Sequence, residues 1–150
     1  MIVRLATPDE EDTLVELARL CVAEGVPHIA FIEQRVRETF QRYLKTARPT
    51  FFFAEQEGRV VGFMQAGICG YDFADGIFTT QDVLFVHPDK RGSRAAALLM
   101  ENFVSWSDEL GALENRGGND NGLTSERTAR FLGRFGFENV GYFVRRIRGA

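Results

Sequence analysis

The sequence predicts a mixed α/β fold, an α+β mixed sheet with elements in the order β-α-α-β-β-β-α-β-α-β, and three observations carry that prediction. Residues 51–54 and 59–69 are strand-like runs on either side of the turn Glu55-Gln56-Glu57-Gly58, so the middle of the chain reads as an antiparallel hairpin. Residues 77–86 form a further strand that Pro88 stops, and a loop of small residues then runs straight into a helix with one apolar face. The 150 residues contain no internal repeat, low-complexity tract or linker. They therefore read as one unit, long enough to bury ~68–70% of the surface its unfolded chain exposes.

Taken in order, residues 2–5 are a short first strand. Thr7-Pro8-Asp9-Glu10 is a helix start, with Thr7 as N-cap, Pro8 at the first helical position and Glu10 closing a capping box. The acidic block from Asp9 to Asp12 complements the positive end of that helix. Leu14, Leu17, Ala18 and Cys21 recur at i, i+3, i+4 and i+7, one face of an amphipathic helix that ends near Gly25. Residues 33–46 are a second helix, with Val36, Phe40 and Tyr43/Leu44 on one side, and Pro49 ends it. Beyond the hairpin and a polar loop at 70–76, the helix at 94–110 gathers Leu98, Leu99, Asn102, Phe103, Trp106 and Leu110 on one face. A short strand at 113–115, a glycine- and asparagine-rich loop at 117–122, a helix at 124–134 and a closing strand at 139–147 complete the chain. Hairpins first and βα crossovers later place helices on both faces of the sheet.

Composition excludes several classes. No apolar run approaches the ~20 residues of a membrane span. The start Met-Ile-Val-Arg turns acidic at once, unlike a secretory or mitochondrial signal. Cys21 and Cys69 fit no zinc or redox spacing and read as small buried hydrophobes. With only His28 and His87, a multi-His metal site is not expected, and a reduced cytoplasmic compartment is the default. The net charge of −3 gives no general attraction for nucleic acid or an anionic membrane. The charge is unevenly spread: residues 1–75 carry 8 cations and 12 anions, residues 76–150 carry 10 and 9.

The stretch Gln81-Asp82-Val83-Leu84-Phe85-Val86-His87-Pro88-Asp89-Lys90-Arg91-Gly92-Ser93-Arg94-Ala95-Ala96 carries the chemistry. It is a strand, a tight loop and a helix start, which together form an anion-binding turn. The first N–H groups of a helix lack partners within it, and the helix dipole adds positive potential there. Small side chains at Gly92, Ser93, Ala95 and Ala96 let a phosphate approach the backbone. Lys90, Arg91 and Arg94 add formal charge.

This stretch resembles the acetyl-CoA-binding motif of the GNAT superfamily of N-acetyltransferases. The usual loop there is Arg/Gln-x-x-Gly-x-Gly/Ala after a strand ending Val-x-Pro. Arg91 fills its first position, Ala96 its last and Val86-His87-Pro88 the strand end, while Arg94 stands where Gly is usual. Residues 125–137 resemble the family's later helix, commonly Asn-x-x-Ala-x-x-x-Tyr-x-x-x-Gly-Phe. Gly136-Phe137 fits its end, with Ser125 for Asn, Thr128 for Ala and Leu132 for Tyr.

The resemblance implies a single N-acetyltransferase domain over 1–150 that moves an acetyl group from acetyl-CoA, a co-substrate, to a small-molecule or peptide amine, with no metal. It allows a homodimer. Leu84, Phe85 and Val86 would splay from a neighbouring strand and hydrogen-bond the pantetheine, with a backbone N–H at Leu84 polarising the thioester oxygen. Arg91, Gly92, Ser93, Arg94, Ala95 and Ala96 would hold the pyrophosphate, and Ser125 and Leu132 would meet the cofactor from the later helix. Many members place a Glu on this strand as base, and Asp82 falls at one common location, sharing a face with Leu84 and Val86 by alternation. Asp82 is either a base acting through water or an edge carboxylate paired with an Arg. Leu132 cannot act as the family's usual acid. Tyr71 and Tyr142 are substitutes in principle, although Tyr142 reads as strand packing and the 70–76 loop as a solvated turn. Arg127, Arg130 and Arg134 form a stripe that is either a solvated face or an attractor of the CoA 3′-phosphate. Two other classes remain in view: an acyl-CoA-binding regulator with little catalysis, motivated by Leu132 and Arg94, and an interaction module, motivated by the Phe-rich hairpin at 51–53.

Overall fold

The computed structural model describes residues 1–118 and 124–149. The chain divides into two compact units, Met1–Arg116 and Gly117–Ala150.

The first unit contains β1 (Ile2–Leu5), α1 (Glu11–Gly25), α2 (Glu33–Thr46), β2 (Thr50–Gln56), β3 (Arg59–Gly70), β4 (Ile77–Val86), α3 (Ala95–Glu109) and β5 (Glu114–Arg116). The five strands form one sheet in the order β1-β2-β3-β4-β5. Neighbours are antiparallel except β4 and β5, which pair in parallel through Phe78↔Glu114, Thr79↔Asn115 and Thr80↔Arg116. The crossover from β4 to β5 is α3, as a parallel pair requires.

Sheet alternation sorts the phenylalanines. Phe51, Phe53, Phe63 and Phe85 pack with Leu14 and Leu17 of α1 and Phe40 and Tyr43 of α2. Phe52 points the other way and meets Trp106 of α3 edge-on, with ring centroids 5.4 Å apart. All three hairpin phenylalanines are buried, so the patch that suggested an interaction module is core. Trp106 is core as well, since it also packs on Phe103. On the α3 face, Thr79 and Ser107 are both fully buried and share a hydrogen bond of 2.7 Å, and Asn115 Nδ2 donates to Thr79 Oγ1 at 2.9 Å. That small network joins β4, α3 and β5, and each member has its partner, as burial demands.

The first turn of α1 differs from its expected form. Pro8–Glu10 is a single 3-10 turn, and α1 proper starts at Glu11. The Thr7–Glu10 pairing survives, with the Thr7 N–H donating to Glu10 Oε1 at 2.9 Å. Glu10 also takes both Arg4 nitrogens, at 2.7 and 3.0 Å, and that guanidinium holds its carboxyl down at about 2. Arg37 of α2 reaches Glu11 and Asp12 at 2.8 Å each, and this ties α2 to the start of α1.

The second unit contains α4 (Ser125–Gly133). Phe131 and Phe135 stack edge-on at 5.2 Å, and Arg134 lies over the Phe131 ring. Arg127, Arg130 and Arg134 are all exposed. The expected loop at 117–122 lies outside the described residues from 119 onward. The expected closing strand at 139–147 is not formed. These residues carry no ladder, and Val140, Tyr142 and Val144 are 89%, 93% and 86% exposed. An alternating sequence becomes a strand only against a partner edge, and none among the described residues pairs with it. The Gly141 N–H instead closes a local turn on Asn139 Oδ1 at 3.1 Å.

Candidate active site

The register of β4 against β3 slips by one residue in mid-strand. Gln65 faces Val83 and Ala66 faces Gln81, so Asp82 has no residue opposite and forms a β-bulge. The bulge breaks the alternation that placed Asp82 beside Leu84 and Val86. Val83 packs against the α1/α2 core, while Leu84 stands opposite Met64, whose neighbour Phe52 faces α3. Asp82 lies over Gly67, on the α1/α2 side. A Cβ at Gly67 would sit 2.5 Å from Thr80 Oγ1 and 3.2 Å from Asp82 Oδ2, so glycine leaves the room that the carboxylate occupies.

Asp82 pairs with no Arg or Lys among the described residues, and its carboxylate is hydrogen-bonded by the Thr80 hydroxyl. The edge ion pair is thereby set aside. Its side chain reaches solvent, yet enough protein surrounds the carboxylate that burial raises its pKa, with the Thr80 bond opposing. A raised carboxylate is a better proton acceptor than an ordinary one.

β5 pairs only with residues 78–80 of β4. From Gln81 to Val86, β4 is laddered on the β3 side and has no strand on its other side among the described residues. The His87 N–H bonds Val61 O at 2.8 Å, so by alternation the backbone groups of Phe85 turn to β3 and those of Leu84 and Val86 turn outward. The Val86 carbonyl accepts from Arg91 Nε at 3.3 Å, which leaves the Leu84 N–H and C=O and the Val86 N–H for an extended ligand.

The strand then turns through Pro88–Lys90 into the loop, where Gly92 has a φ of +86° that L side chains rarely adopt. Within the loop the Ser93 N–H bonds Lys90 O at 3.2 Å, and the Ala95 N–H bonds the Ser93 hydroxyl at 3.3 Å. The N–H groups of Gly92, Arg94, Ala96 and Ala97 have no acceptor among the described residues. They are the open donors of the α3 N-terminus, and they fit a pyrophosphate. Lys90 and Arg94 make no ion pair among the described residues. Arg91 does: its guanidinium grips Glu24 of α1 at 2.7 and 2.9 Å and lies 5.5 Å from the Phe85 ring centroid. Sequence motifs gave no sign of that contact, because Glu24 is 67 residues away.

Tyr71 does not reach this site. Tyr71 donates to Glu114 Oε1 at 2.7 Å and stacks on Phe78 with centroids 5.0 Å apart. Phe78 is six residues from Leu84, ~20 Å along the strand. Tyr142 is exposed in the second unit and packs in no strand. Ser125 starts α4 in that unit, and Leu132 is buried in the same helix. The two cysteines are each only half-buried, a correction to the expectation of full burial. Cys21 lines a recess between α1, α2 and the sheet, and burial beside Glu24 pushes its thiol up to about 11.

A five-stranded mixed sheet with helices on both faces, in which a strand runs through a glycine turn into a helix N-terminus, defines the class of mixed α/β proteins to which the chain belongs. The chain belongs to the GNAT acetyltransferase family: residues 47–139 match the acetyltransferase (GNAT) domain. Solved structures share its fold. One is a predicted acetyltransferase from Clostridium acetobutylicum with acetyl-CoA, at TM-score 0.76 and 15% identity over 97% of this chain and 94% of that one. Another is the ribosomal-protein-alanine N-acetyltransferase of Brucella melitensis, at TM-score 0.75 and 14% identity over 97% of both chains. A third is a transcriptional regulator from Bacillus halodurans, at TM-score 0.79 and 16% identity over 97% of both. No curated protein matches the sequence. No helix among the described residues is long and apolar enough to cross a membrane.

Proposed function

We propose that this protein transfers an acetyl group from acetyl-CoA to a primary amine by direct attack. The observation that carries the reading is the continuity of β4 and its loop: a one-sided strand end at Leu84 to Val86 leads straight into the unpaired N–H groups of Gly92, Arg94, Ala96 and Ala97. The strand end suits a pantetheine arm and the helix start a pyrophosphate, in the order in which CoA presents them.

In the reaction, the amine nitrogen attacks the thioester carbonyl carbon. A C–N bond forms and the carbonyl electron pair moves to oxygen, where a strand N–H at Leu84 stabilises it. Collapse breaks the C–S bond and expels the CoA thiolate. The proton lost by the amine passes through a water to Asp82, whose raised pKa and lack of a cationic partner suit it to accept one. Tyr71 and Leu132 supply no acid. A thiol pKa of ~8.5 lets CoA leave as the thiolate without one.

Titration with acetyl-CoA, followed by thermal unfolding, tests the binding half of the proposal. Stabilisation should grow with the logarithm of ligand concentration above Kd and reach about 2.7 kcal/mol at a hundred times Kd. Gly92→Val should abolish it, because the +86° φ is closed to a β-branched residue. No shift with the parent protein would overturn the reading. A shift without CoA release in the presence of any amine would mark a binding protein rather than an enzyme.

A further inference from the structure

A recess lies between the two N-terminal helices and the sheet. It encloses about 230 Å³, with Ala18 and Cys21 from α1, Val36 from α2, and Phe63, Gln65 and Val83 from β3 and β4 on its walls. At the ~30 Å³ that water occupies per molecule, it has room for about eight non-hydrogen atoms. Its walls are almost wholly apolar. Val83, on its floor, immediately follows Asp82, and Gly67, under the Asp82 carboxylate, lies two residues along β3 from Gln65. The Asp82 carboxylate is therefore next along the sheet from this open recess, beyond Val83 and Gln65 and outside its lining.

The charges around the recess are few. Arg35 lines its rim and is paired with Glu38 at 3.2 Å. Other nearby carboxylates are spoken for: Glu24 by Arg91, Glu11 by Arg37 and Gln41, and Glu33 by Arg19. Asp82 alone among them has no cation. A polyamine or an aminoglycoside needs a carboxylate for each of several ammonium groups, and none is free here. A single ammonium with a compact apolar body matches both the one carboxylate and the walls.

We infer that the acceptor is an apolar primary monoamine of about six to nine non-hydrogen atoms, an alkyl or arylalkyl amine, with its nitrogen toward Asp82 and its body in the recess bounded by Ala18, Val36 and Phe63. The inference rests on the acetyl-transfer reading above and adds the class of acceptor. Gln65, the polar group on the sheet wall, is placed to orient the amine, and the half-buried Cys21 serves as wall.

The experiment is a series of n-alkylamines from propylamine to octylamine, with phenylethylamine, leucine, spermidine and kanamycin, each followed by CoA thiol release. kcat/KM should climb by about three- to fourfold for each added methylene until the recess is full, and then level off. Phenylethylamine should match the best alkylamine, and spermidine and kanamycin should fall at least tenfold below it. Ala18→Phe, a change on a half-buried helix position, should flatten the series while leaving the acetyl-CoA stabilisation intact. A flat series in the parent protein overturns the inference, as does a preference for spermidine or kanamycin. Leucine surpassing the best alkylamine tenfold would also overturn it and make Arg35 a carboxylate anchor. Those outcomes leave acetyl transfer standing, whereas acetyl-CoA binding with no amine turned over removes both readings.

Discussion

The two halves of β4 are built from similar residues and perform different work. From Phe78 to Thr80 the strand is paired on both sides, and its inward Thr79 is fully buried in the hydrogen-bonded set with Ser107 and Asn115. Outside that ladder, Tyr71, Phe78, Glu114 and Arg116 form a clamp in which the Arg116 guanidinium sits 3.7 Å over the Phe78 ring. From Val83 to Val86 the strand is laddered on one side only among the described residues, and Asp82, in the bulge before it, pairs with no Arg or Lys among them. The Asp82 bulge divides the halves. Backbone polar groups that are satisfied by the protein hold it together, and those left open are available to a ligand.

The largest test of this contrast is Asp82→Asn. Proton transfer by a positioned base is worth about 10²–10⁴-fold, and kcat/KM should fall within that range. Stability should move the other way. Burial raises the Asp82 pKa, so the folded state holds this proton more tightly than the unfolded chain does. Its favourable contribution is present below the unfolded pKa and is lost as pH rises through the folded one. At pH 7 the ionised group is therefore a net cost, and Asp82→Asn should unfold at equal or higher urea than the parent, an advantage that disappears in acid. Lower stability at pH 7 would make Asp82 a structural residue and erase the distinction between the two halves.

Thr79→Val probes the other half. It removes one centre of a buried hydrogen-bond set, and the orphaned Ser107 and Asn115 should cost about 1–3 kcal/mol in a urea melt. Acetyl-CoA stabilisation, measured as the difference between liganded and free protein, should be unchanged. If that difference collapsed, the two halves would be one coupled unit.

The smallest effect is expected at Glu24→Gln. Arg91 begins the loop, yet its guanidinium is held by an exposed carboxylate of α1. Exposed pairs are worth a few tenths of a kcal/mol to about 1. Freeing Arg91 should therefore tighten acetyl-CoA binding by no more than about fivefold, read by calorimetry at low salt, with the gain shrinking as salt is added. Weaker binding would mean that Glu24 positions Arg91 for the ligand rather than competing with it.

Much of this was legible along the chain. The capping residues, helical periodicities and hairpin turn located the eight regular elements of the first unit and α4 to within a residue or two, except that α1 proper starts three residues after its expected first position at Pro8. The anion turn was visible as well, because it depends on local features, namely Gly92, small side chains and a helix start. The face of Asp82 was not visible, since a bulge is a property of two strands in register and alternation counts only one. The closing strand at 139–147 failed for the same reason: Val140, Tyr142 and Val144 alternate as a strand should, but a ladder needs an edge.

The sequence by itself determined the element order, the family's loop and the residue types beside it, since these follow from short-range preference and spacing. Tertiary structure alone decided that Asp82 pairs with no Arg or Lys among the described residues, that Arg91 turns back to Glu24, that Tyr71 belongs to the far end of β4, and that α1 and α2 leave an apolar recess against Val83 and Gln65 of the sheet. Each of these is a contact, or the lack of one, between residues distant in sequence. Such contacts are set by packing and register, which no local pattern encodes.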